Sequence, residues 1–588
     1  MDKIKISLSH AINLQNPVIF IPILTSRLTG KTSLVDEVRN YIPIGVKYTS
    51  ILSHIESNIK KNELSGASLT IELADSNCKV KIAKTQKKSA GGSLAKSHPK
   101  SHPKSQKKTT GTDTSTTSHG DDLYQIYLVV IKDTDKANDK AKAKAHTKTS
   151  HTAETTTHNN LLEKARQAGN SIFQSMKANQ IPSINLIDTV CESSFISAVL
   201  EGLLLSSYKF LKYKTNTKPN EKYAPDHIHI TSRECTTINN SQISIKNAIL
   251  SNLKTEIESV FLARDLVNEP ANNAKATVFI DAIRERIKDW KLPVDIEILD
   301  SAKLKALGFG LLLGVGAGSN DGNAPRVVIL KYNGDGGGKH DTKSPDIVLL
   351  GKGITFDTGG LDLKSARSMS EMKSDLAGAA TVMSFLLGYA KIKGPKSIYT
   401  ICPFAENSIG PNSTKPSDIL TAFNGKTVEV TDTDAEGRLV LADCLAYANK
   451  HYPKAMLVDF ATLTGQQETV SCKMFSNVLG VNSEIEMSKM IKDGARINEP
   501  LVELPMMESK YIDKLDSVVA DIKNVSGNCS ADIILSAVFM HQFISDSAKW
   551  IHIDIAGPSF NNAANVKYMG GEGSGVGVRL LFEYFDCC

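Results

Sequence analysis

Residues 431–439, TDTDAEGRL, place side chains that could do chemistry at a regular spacing. Asp432, Asp434, Glu436 and Arg438 occur at every second position after the apolar stretch TVEV, and an apolar run follows at once. In an extended segment, side chains two residues apart project to the same face. We therefore expect three carboxylates and a guanidinium on one edge of the chain, pointing into one pocket.

A second polar group follows another apolar stretch, IVLL at 347–350. Lys352 comes at the end of this predicted buried strand, and Asp357 follows in a glycine-flanked turn. Lys364 comes next, and Asp375 stands where a Gly/Ala-rich helix is predicted to begin. Burying so many charges without compensation would cost several kcal/mol per ion.

Metal coordination is the usual compensation for such a cluster. Carboxylate oxygens suit divalent ions such as Mg²⁺, Mn²⁺ and Zn²⁺. Three aspartates and a glutamate exceed the needs of one ion, so two bridged ions are expected, which can supply hydroxide near neutral pH. Taken alone, the D-x-D-x-E run is more often a solvated edge, and Lys352 a surface lysine. The occurrence of both segments directly after buried strands favours the metal site.

The elements that must position these residues alternate between short apolar strands and helices from about residue 243. The strands are VDIEILD, RVVILKYN, DIVLLGKG, SIYTICPF, TVEVTD, AMLVDFATLTG and WIHIDIAG, and helices are predicted from about 375 and from 438. This alternation is typical of an α/β domain whose central sheet is mixed and largely parallel. Ligands bind at the carboxyl ends of the strands in such sheets.

The length of 588 residues allows two domains. We predict a smaller N-terminal α/β domain over 1–240 and a catalytic α/β domain over 241–588. Within the first, PVIFIPIL (17–24) reads as a buried strand and a helix is predicted over 195–213; a further helix over 243–268 is predicted to lead into the second domain. Two inserts near 84–122 and 133–160, rich in Lys, Ser, Thr and His, cannot bury enough apolar surface to fold and are predicted to be disordered.

The composition, with 41% hydrophobic and 22% charged residues, is typical of an ordinary globular protein. No apolar run is long enough for a transmembrane helix, and the scattered cysteines fit a reducing compartment. The net charge of +6 is local, because residues 84–108 hold eight lysines and no acid. Binding of nucleic acid or of an acidic partner through the lysine runs is the alternative function, although aromatic residues are not interleaved with the lysines.

Seven motifs, in order, resemble those of the leucyl aminopeptidases (cytosol aminopeptidases), metallopeptidase family M17. The signature-like TDTDAEGRL is accompanied by NEPAN (268–272), GKGITFDTGG, MKSDLAGAAT, FATLTG, ADIKN and HIDIAG, and the matches cover most of residues 260–580. The resemblance implies a dinuclear metal-dependent aminopeptidase of the cytoplasm that assembles as a homohexamer. It implies that the substrates are peptides with a free N-terminus. It also implies that each subunit binds two divalent metal ions, which are Zn²⁺ or else Mn²⁺ or Co²⁺.

The same resemblance assigns the ligands of both ions. Lys352, Asp357, Asp375 and Glu436 match the ligands of the tightly held ion, with the lysine coordinating as a neutral amine. Asp357, Asp434 and Glu436 match those of the exchangeable ion. Water bridging the two ions would attack the peptide bond.

Further roles come from the resemblance alone. Lys364 matches the lysine that stabilises the gem-diolate, and Arg438 matches the arginine that holds a bicarbonate ion as proton shuttle. Leu463 matches a position whose backbone carbonyl contacts substrate. Met372, Thr462, Gly465 and Ala556 match the positions that line the pocket for the first side chain of the substrate. That pocket is expected to be apolar and to prefer Leu or Met.

Two residues of the catalytic region depart from the family pattern. Asp432 replaces the asparagine of the signature and adds a carboxylate beside the metal ligands, so we expect tighter metal binding or a changed choice of metal. Ser559 stands where some members carry a larger apolar residue, which leaves the depth of the pocket open.

Overall fold

A computed structural model describes residues 5–9, 18–24, 68–74, 77–83, 124–131, 150–188, 193–232, 240–335, 344–562 and 564–587. The N-terminal half contributes a sheet of seven strands in the order β1-β7-β6-β2-β5-β3-β4, which is parallel from β1 to β5 and antiparallel beyond. The strands are β1 (Lys5–Ser9), β2 (Val18–Leu24), β3 (Ser68–Ala74), β4 (Asn77–Ala83), β5 (Tyr124–Ile131), β6 (Ser183–Asp188) and β7 (His227–Ser232). The strand predicted over 17–24 is β2.

Four helices accompany this sheet: α1 (Ser150–Ala178), α2 (Ser193–Leu205), α3 (Pro219–Lys222) and α4 (Asn240–Asn268). Two sequence expectations about them are wrong. The second insert was expected to remain unfolded to residue 160, but α1 begins at Ser150. Helix formation is cooperative, so a turn that is weak alone can extend a helix that is already packed. The rest of that insert, and all of 84–122, lie outside the described residues.

The second error concerns the end of α2, which was expected near residue 213 but lies at Leu205. The hydroxyl of Ser206 donates to the Gly202 carbonyl at 2.6 Å, and that of Ser207 donates to the Leu204 carbonyl at 2.6 Å. Serine hydroxyls that bond to the preceding turn compete with continued helix. The apolar spacing beyond Leu205 therefore does not mark a helix.

The catalytic region is built on a sheet of nine strands. Its strands are β8 (Asp295–Leu299), β9 (Arg326–Tyr332), β10 (Ile347–Gly351), β11 (Gly353–Asp357), β12 (Ile398–Asn407), β15 (Met456–Ala461), β16 (Ser476–Val481), β17 (Leu501–Glu503) and β19 (Trp550–Asp554). The order is β17-β16-β19-β15-β10-β12-β9-β8, with β11 paired to β12. The pairs among β19, β15, β10, β11 and β12 are parallel, and so is the pair of β16 and β17. β16 runs antiparallel to β19, β9 to β12, and β8 to β9. The predicted mixed, largely parallel sheet is confirmed.

One predicted strand lies elsewhere. TVEV forms β14 (Thr427–Val430), which pairs with β13 (Asp418–Thr421) and β18 (Ile522–Lys523) in a separate sheet of three strands. The segment that follows β14 therefore approaches the central sheet from outside it.

Helices cover both faces of the central sheet. They are α5 (Ala276–Trp290), α6 (Ser301–Leu307), α7 (Gly310–Val315), α8 (Ala366–Met369), α9 (Ala377–Lys391), α10 (Gly437–His451), α11 (Gly465–Ser471), α12 (Glu484–Arg496), α13 (Glu508–Tyr511), α14 (Asp532–His541) and α15 (Val578–Tyr584). The side chains of α9 belong to one hydrophobic core and those of α10 to another. Both helices are buried along nearly their whole length, so the segments that precede them are held firmly. Within the described part of the chain, no helix is both long and apolar enough to cross a membrane.

Candidate metal centre

The predicted site residues meet at one edge of the central sheet. Strands β10, β15 and β19 are parallel neighbours, so their carboxyl ends lie together. Lys352 follows β10, Thr462 follows β15, and Ala556 lies two residues beyond β19. Asp357 is the last residue of β11. The prediction that chemistry follows the strand ends is therefore met by the placement of these residues.

Three carboxylates form a compact group at this edge. Asp357, Asp434 and Glu436 each offer an oxygen, and these oxygens all lie within 4.8 Å of one another. Asp357 and Glu436 are 2% exposed, whereas Asp434 is half-buried. Asp375, in a 3-10 turn over Met372–Leu376 rather than at the opening of α9, is a fourth buried carboxylate.

Two lysines compensate the charge of these carboxylates. Lys352 Nζ lies 2.8 Å from Asp375 Oδ1 and 2.8 Å from Glu436 Oε1, and it donates to the Thr462 carbonyl at 2.7 Å. Lys364 Nζ lies 2.7 Å from Asp357 Oδ2 and 2.5 Å from Asp434 Oδ1. The two ammonium groups thus bridge all four carboxylates.

The electrostatics of the cluster shift the pKa of every member. Burial lowers the pKa of Lys352 and of Lys364, but the neighbouring carboxylates outweigh it and leave both pKa values above the ordinary one. Burial and the charge of Asp357 raise the pKa of Asp434 to about 7. Burial also raises the pKa of Asp357, and it raises that of Asp375 well above its usual range. Burial would also raise the pKa of Glu436, but the charges of Lys352 and Lys364 outweigh it and lower that pKa. The three aspartates therefore resist ionisation here, whereas Glu436 ionises more readily than usual.

The donor set fits divalent ions. One oxygen of Asp375 (Oδ2) and one of Glu436 (Oε2) are buried without a hydrogen-bond partner. Buried polar atoms without partners are rare in native folds, and an ion is one of the accepted explanations. Carboxylate oxygens together with a lysine amine are hard to borderline donors, which suits Mn²⁺ or Zn²⁺.

The loop that carries Asp357 is fixed by side chains that the sequence reasoning missed. Asn407 donates from Nδ2 to Asp357 Oδ1 at 2.8 Å and to the Thr433 carbonyl at 3.0 Å. The Thr433 amide donates to Asp362 Oδ2 at 2.8 Å, and the Thr433 hydroxyl donates to the Gly359 carbonyl at 2.7 Å. These contacts join the two polar segments, which lie about seventy residues apart in the chain. They are long-range, so no local signal points to them.

The second loop is not the extended edge that was expected. Residues 433–434 form a turn, and Arg438 lies in the first turn of α10. Asn524 holds this loop by donating to the Asp432 carbonyl at 2.7 Å and accepting from the Thr431 amide at 2.8 Å. The common face of the acids therefore comes from a turn stabilised by Asn524, and the every-second-residue interpretation of the spacing is wrong.

Arg438 is turned away from the carboxylate cluster. Its Nη1 donates to the Asn524 carbonyl at 3.0 Å, and its Nη2 lies 2.7 Å from Asp532 Oδ1. The guanidinium is 2% exposed, and its Nε has no hydrogen-bond partner. An anion could accept from this nitrogen.

A glycine beside the cluster leaves room for the lysine. A Cβ at Gly437 would lie 2.7 Å from both Cε and Nζ of Lys352. Any larger residue directly after Glu436 would therefore displace Lys352 from its carboxylate partners. This close approach explains the glycine of AEGR.

A cavity of about 520 Å³ opens above the cluster. All the residues expected to line the substrate pocket do line it, namely Met372, Thr462, Leu463, Gly465 and Ala556. Asp554 orders two of the contributing loops by accepting from the amides of Leu463 and Ala556. Ser559 is buried and is not among the lining residues, whereas Phe560 is. Phe560, and not Ser559, therefore contributes to the lining of this cavity.

The sheet edge, the four carboxylates and the two lysines define an α/β metallohydrolase site. The cytosol aminopeptidase family catalytic-domain model matches residues 261–582. The chain is 36% identical over 428 residues to a probable cytosol aminopeptidase of Rickettsia canadensis (strain McKiel), covering 72% of this chain and 81% of that protein. A probable cytosol aminopeptidase of Rickettsia rickettsii (strain Sheila Smith) is 35% identical over 429 residues, with the same coverage.

Solved structures agree. Bottromycin maturation enzyme BotP in complex with Mn superposes with a TM-score of 0.64 at 26% identity, covering 79% of this chain and 90% of that chain. A second BotP structure gives a TM-score of 0.63. The chain belongs to the cytosol aminopeptidase family, M17, whose members are metal-dependent aminopeptidases that act on peptides.

Proposed function

We propose that the chain is a dinuclear metal-dependent aminopeptidase of the leucyl aminopeptidase type. It releases N-terminal residues, preferably Leu, Met and other apolar residues, from peptides with a free N-terminus. The observation that carries this proposal is the buried group of four carboxylates bridged by Lys352 and Lys364 at the strand ends. Membership in the M17 family supports it.

Two ions are proposed for the cluster, Zn²⁺ in the first place and Mn²⁺ or Co²⁺ otherwise. Lys352, Asp357, Asp375 and Glu436 hold one, and Asp357, Asp434 and Glu436 hold the other. Such a pair supplies a nucleophilic water at neutral pH and polarises the peptide carbonyl. Lys352 must then lose its proton, because only the neutral amine can donate to a cation.

Lys364 is proposed as the catalytic cation. It is 14% exposed on the cavity wall, and the neighbouring carboxylates raise its pKa, so it keeps its proton at neutral pH. Its ammonium can donate to the negative charge that develops on the carbonyl oxygen of the scissile bond. A preorganised donor of this kind contributes a factor of roughly 10²–10³ to the rate.

Arg438 is proposed to hold a bicarbonate ion, which would supply a proton-transfer group for the reaction. Two of its nitrogens are fixed by Asn524 and Asp532, and the remaining Nε is the one without a partner. A fixed guanidinium binds an anion without the cost of ordering a flexible side chain. The Asp532 carboxylate competes with the anion for the same guanidinium.

The first side chain of the substrate is proposed to contact Met372, Thr462, Gly465 and Ala556, with the Leu463 carbonyl accepting from the substrate backbone. Gly465 is open on its Cβ side, so the wall there is formed by backbone. A methylene more or less in an apolar pocket is worth only about 1–3 kcal/mol, so several apolar residues should be accepted.

A homohexameric assembly and a cytoplasmic location are further proposals. They rest on the family resemblance and, for location, on relatives named as cytosol aminopeptidases. Binding of nucleic acid by the lysine-rich inserts stays a prediction, because most of those residues lie outside the described part of the chain.

Hydrolysis of leucine amide by the purified chain tests the proposal. The metal-loaded protein should be active, and chelator should abolish the activity. Lys364→Ala should lower kcat by roughly 10²–10³-fold. The matched control is Lys373→Ala, because Lys373 pairs with Glu572 outside the cluster and should leave kcat within about twofold of wild type. An inactive metal-loaded wild type, or an equal effect of the two substitutions, would contradict the proposed function.

A further inference from the structure

Asp432 differs from every other acid on the loop that follows β14. Asp434 is paired with Lys364, and Glu436 is paired with Lys352. Asp432 lines the cavity and is only partly buried, yet among the described residues no cationic side chain lies within 4 Å of its carboxylate. One of its oxygens, Oδ1, accepts from the Asp434 amide at 2.8 Å. Its other oxygen, Oδ2, accepts no hydrogen bond from the residues that the structure describes.

The backbone contact does not require a carboxylate. An asparagine side chain offers the same acceptor to the Asp434 amide, and Asn524 independently holds the backbone of this turn. The carboxylate of Asp432 therefore has no ion-pair partner within 4 Å in the described part of the chain, and Arg438 acts on it only from farther away. An unpaired carboxylate on the wall of a cavity is available to a ligand.

The position of Asp432 in the cavity indicates which part of a ligand it meets. The proposed pocket for the first side chain is formed by segments that follow the central strands β15 and β19 and by the turn at Met372. Asp432 comes from the loop between β14 and α10, as does its neighbour Ala435, and Val525 lies beside them after β18. The wall around Asp432 is thus built from the three-stranded sheet and lies apart from the first pocket.

We propose that Asp432 selects peptides with a lysine or arginine as their second residue. With the first side chain in its pocket and the scissile bond at the carboxylate cluster, the rest of the peptide has to extend along the other wall of the cavity. A cationic second side chain there gains a partner, and an acidic one is repelled. The inference rests on the proposed aminopeptidase function and names its substrate class.

Arg438 does not cancel this charge. It is 2% exposed and already paired with Asp532 at 2.7 Å, so one carboxylate on this wall is left over. The interaction is partly exposed, so its effect on specificity should be modest, about three- to tenfold in kcat/KM.

The test compares the tripeptides Leu-Lys-Ala, Leu-Met-Ala and Leu-Glu-Ala, whose second side chains are of similar length. For the metal-loaded wild type we expect kcat/KM to fall in that order, with the first two separated by about three- to tenfold. Asp432→Asn should bring the three values to within about twofold while Leu-Met-Ala is still cleaved. The matched control is Glu468→Gln, which removes a carboxylate that lines the same cavity but is paired with Lys473. That variant should keep the wild-type order.

Binding gives a second readout that is independent of turnover. In the Lys364→Ala background, calorimetric titration should show tighter binding of Leu-Lys-Ala than of Leu-Met-Ala, and Asp432→Asn should remove the difference. If Asp432→Asn is inactive on all peptides, the wild type is assayed at increasing NaCl concentration instead. A ratio of kcat/KM for Leu-Lys-Ala to that for Leu-Met-Ala that falls towards one supports the inference, because salt screens the charge of Asp432. A constant ratio overturns the inference.

The outcomes separate the inference from the proposed function. If the wild type cleaves none of the three peptides and no leucine amide, the proposed function fails. If it cleaves them without a charge preference, or with a preference that survives Asp432→Asn, the function stands and the role of Asp432 is wrong.

Discussion

Two regions of this chain bury charged groups, and they do so in different ways. In the first, Glu201 of α2 accepts from Arg166 through one oxygen and from Arg579 of α15 through the other. In the second, Lys352 and Lys364 lie among four carboxylates, and Asp375 and Glu436 each keep one oxygen without a partner. Both oxygens of Glu201 are satisfied, whereas two of the carboxylates in the lysine cluster are only half satisfied.

The choice of cation explains the difference. Arginine cannot lose its proton in a protein and grips a carboxylate with a fixed fork, which makes it a permanent partner. Lysine can lose its proton when a metal ion competes for its nitrogen. The Glu201 network therefore joins the N-terminal helices to the last helix of the chain, whereas the lysines of the cluster are able to give way to metal ions. Buried charge alone does not mark a functional site, but incompletely satisfied carboxylates held by lysines do.

The largest expected effect on stability comes from breaking the arginine network. Arg579→Met removes the guanidinium beside Glu499 and leaves Glu201 with Arg166 alone, which should lower the free energy of unfolding by about 3–5 kcal/mol. Activity per folded molecule should stay within about twofold of wild type. Chemical denaturation followed by fluorescence, with leucine amide hydrolysis on the folded fraction, measures both.

The control for this prediction is Arg284→Met. Arg284 pairs with Asp281 at 3.4 Å on an exposed helix surface, and its loss should change stability by less than about 0.5 kcal/mol. A loss of stability no larger for Arg579→Met than for Arg284→Met would show that the network is not structural. A selective loss of kcat would assign it to catalysis instead.

A smaller effect concerns the response of the lysine cluster to pH. The pKa of Asp434 is raised to about 7, so in the absence of metal its ionisation penalises the fold increasingly as pH rises from the usual aspartate range to 7. Metal binding needs the ionised form and removes this penalty. The increase in melting temperature caused by Mn²⁺ should therefore grow with pH between 5.5 and 8, with apparent affinity changing by roughly tenfold per pH unit for each proton displaced.

Asp443 supplies an internal control for the pH measurement. Burial raises its pKa to about 7 as well, but its oxygens accept from the amides of Leu312 and Phe423, away from the cavity. The titration of Asp443 changes the melting temperature of the metal-free and of the metal-loaded protein by the same amount. A metal-induced shift that is constant over this pH range would contradict the account of the cluster.

The sequence allowed the catalytic sheet and the carboxylate group to be predicted because both depend on local signals. Buried parallel strands are short apolar runs, and the polar residues directly after them mark the sheet edge. The helix limits at Ser150 and Leu205 were missed because they depend on cooperative extension and on serine hydroxyls. Propensity and periodicity do not carry that information.

The supporting residues of the site could not be predicted for a different reason. Asn407 and Asn524 act through hydrogen bonds to segments 26 and 92 residues away, so their function exists only in the folded chain. Arg438 shares the spacing of Asp434 and Glu436, but α10 begins at Gly437 and turns it towards Asp532. Regular spacing in a sequence indicates a shared face only when the backbone between the residues has one conformation.

The central claim is that the lysine-bridged carboxylates hold two metal ions, one tightly and one exchangeably. The most direct measurement is the metal content of the full-length chain by mass spectrometry after dialysis against Mn²⁺, for wild type, Glu436→Gln and the cavity-lining control Glu468→Gln. The account predicts two ions per chain in wild type and in the control, and fewer than one in Glu436→Gln. Two ions in all three proteins, or none in wild type, would contradict it.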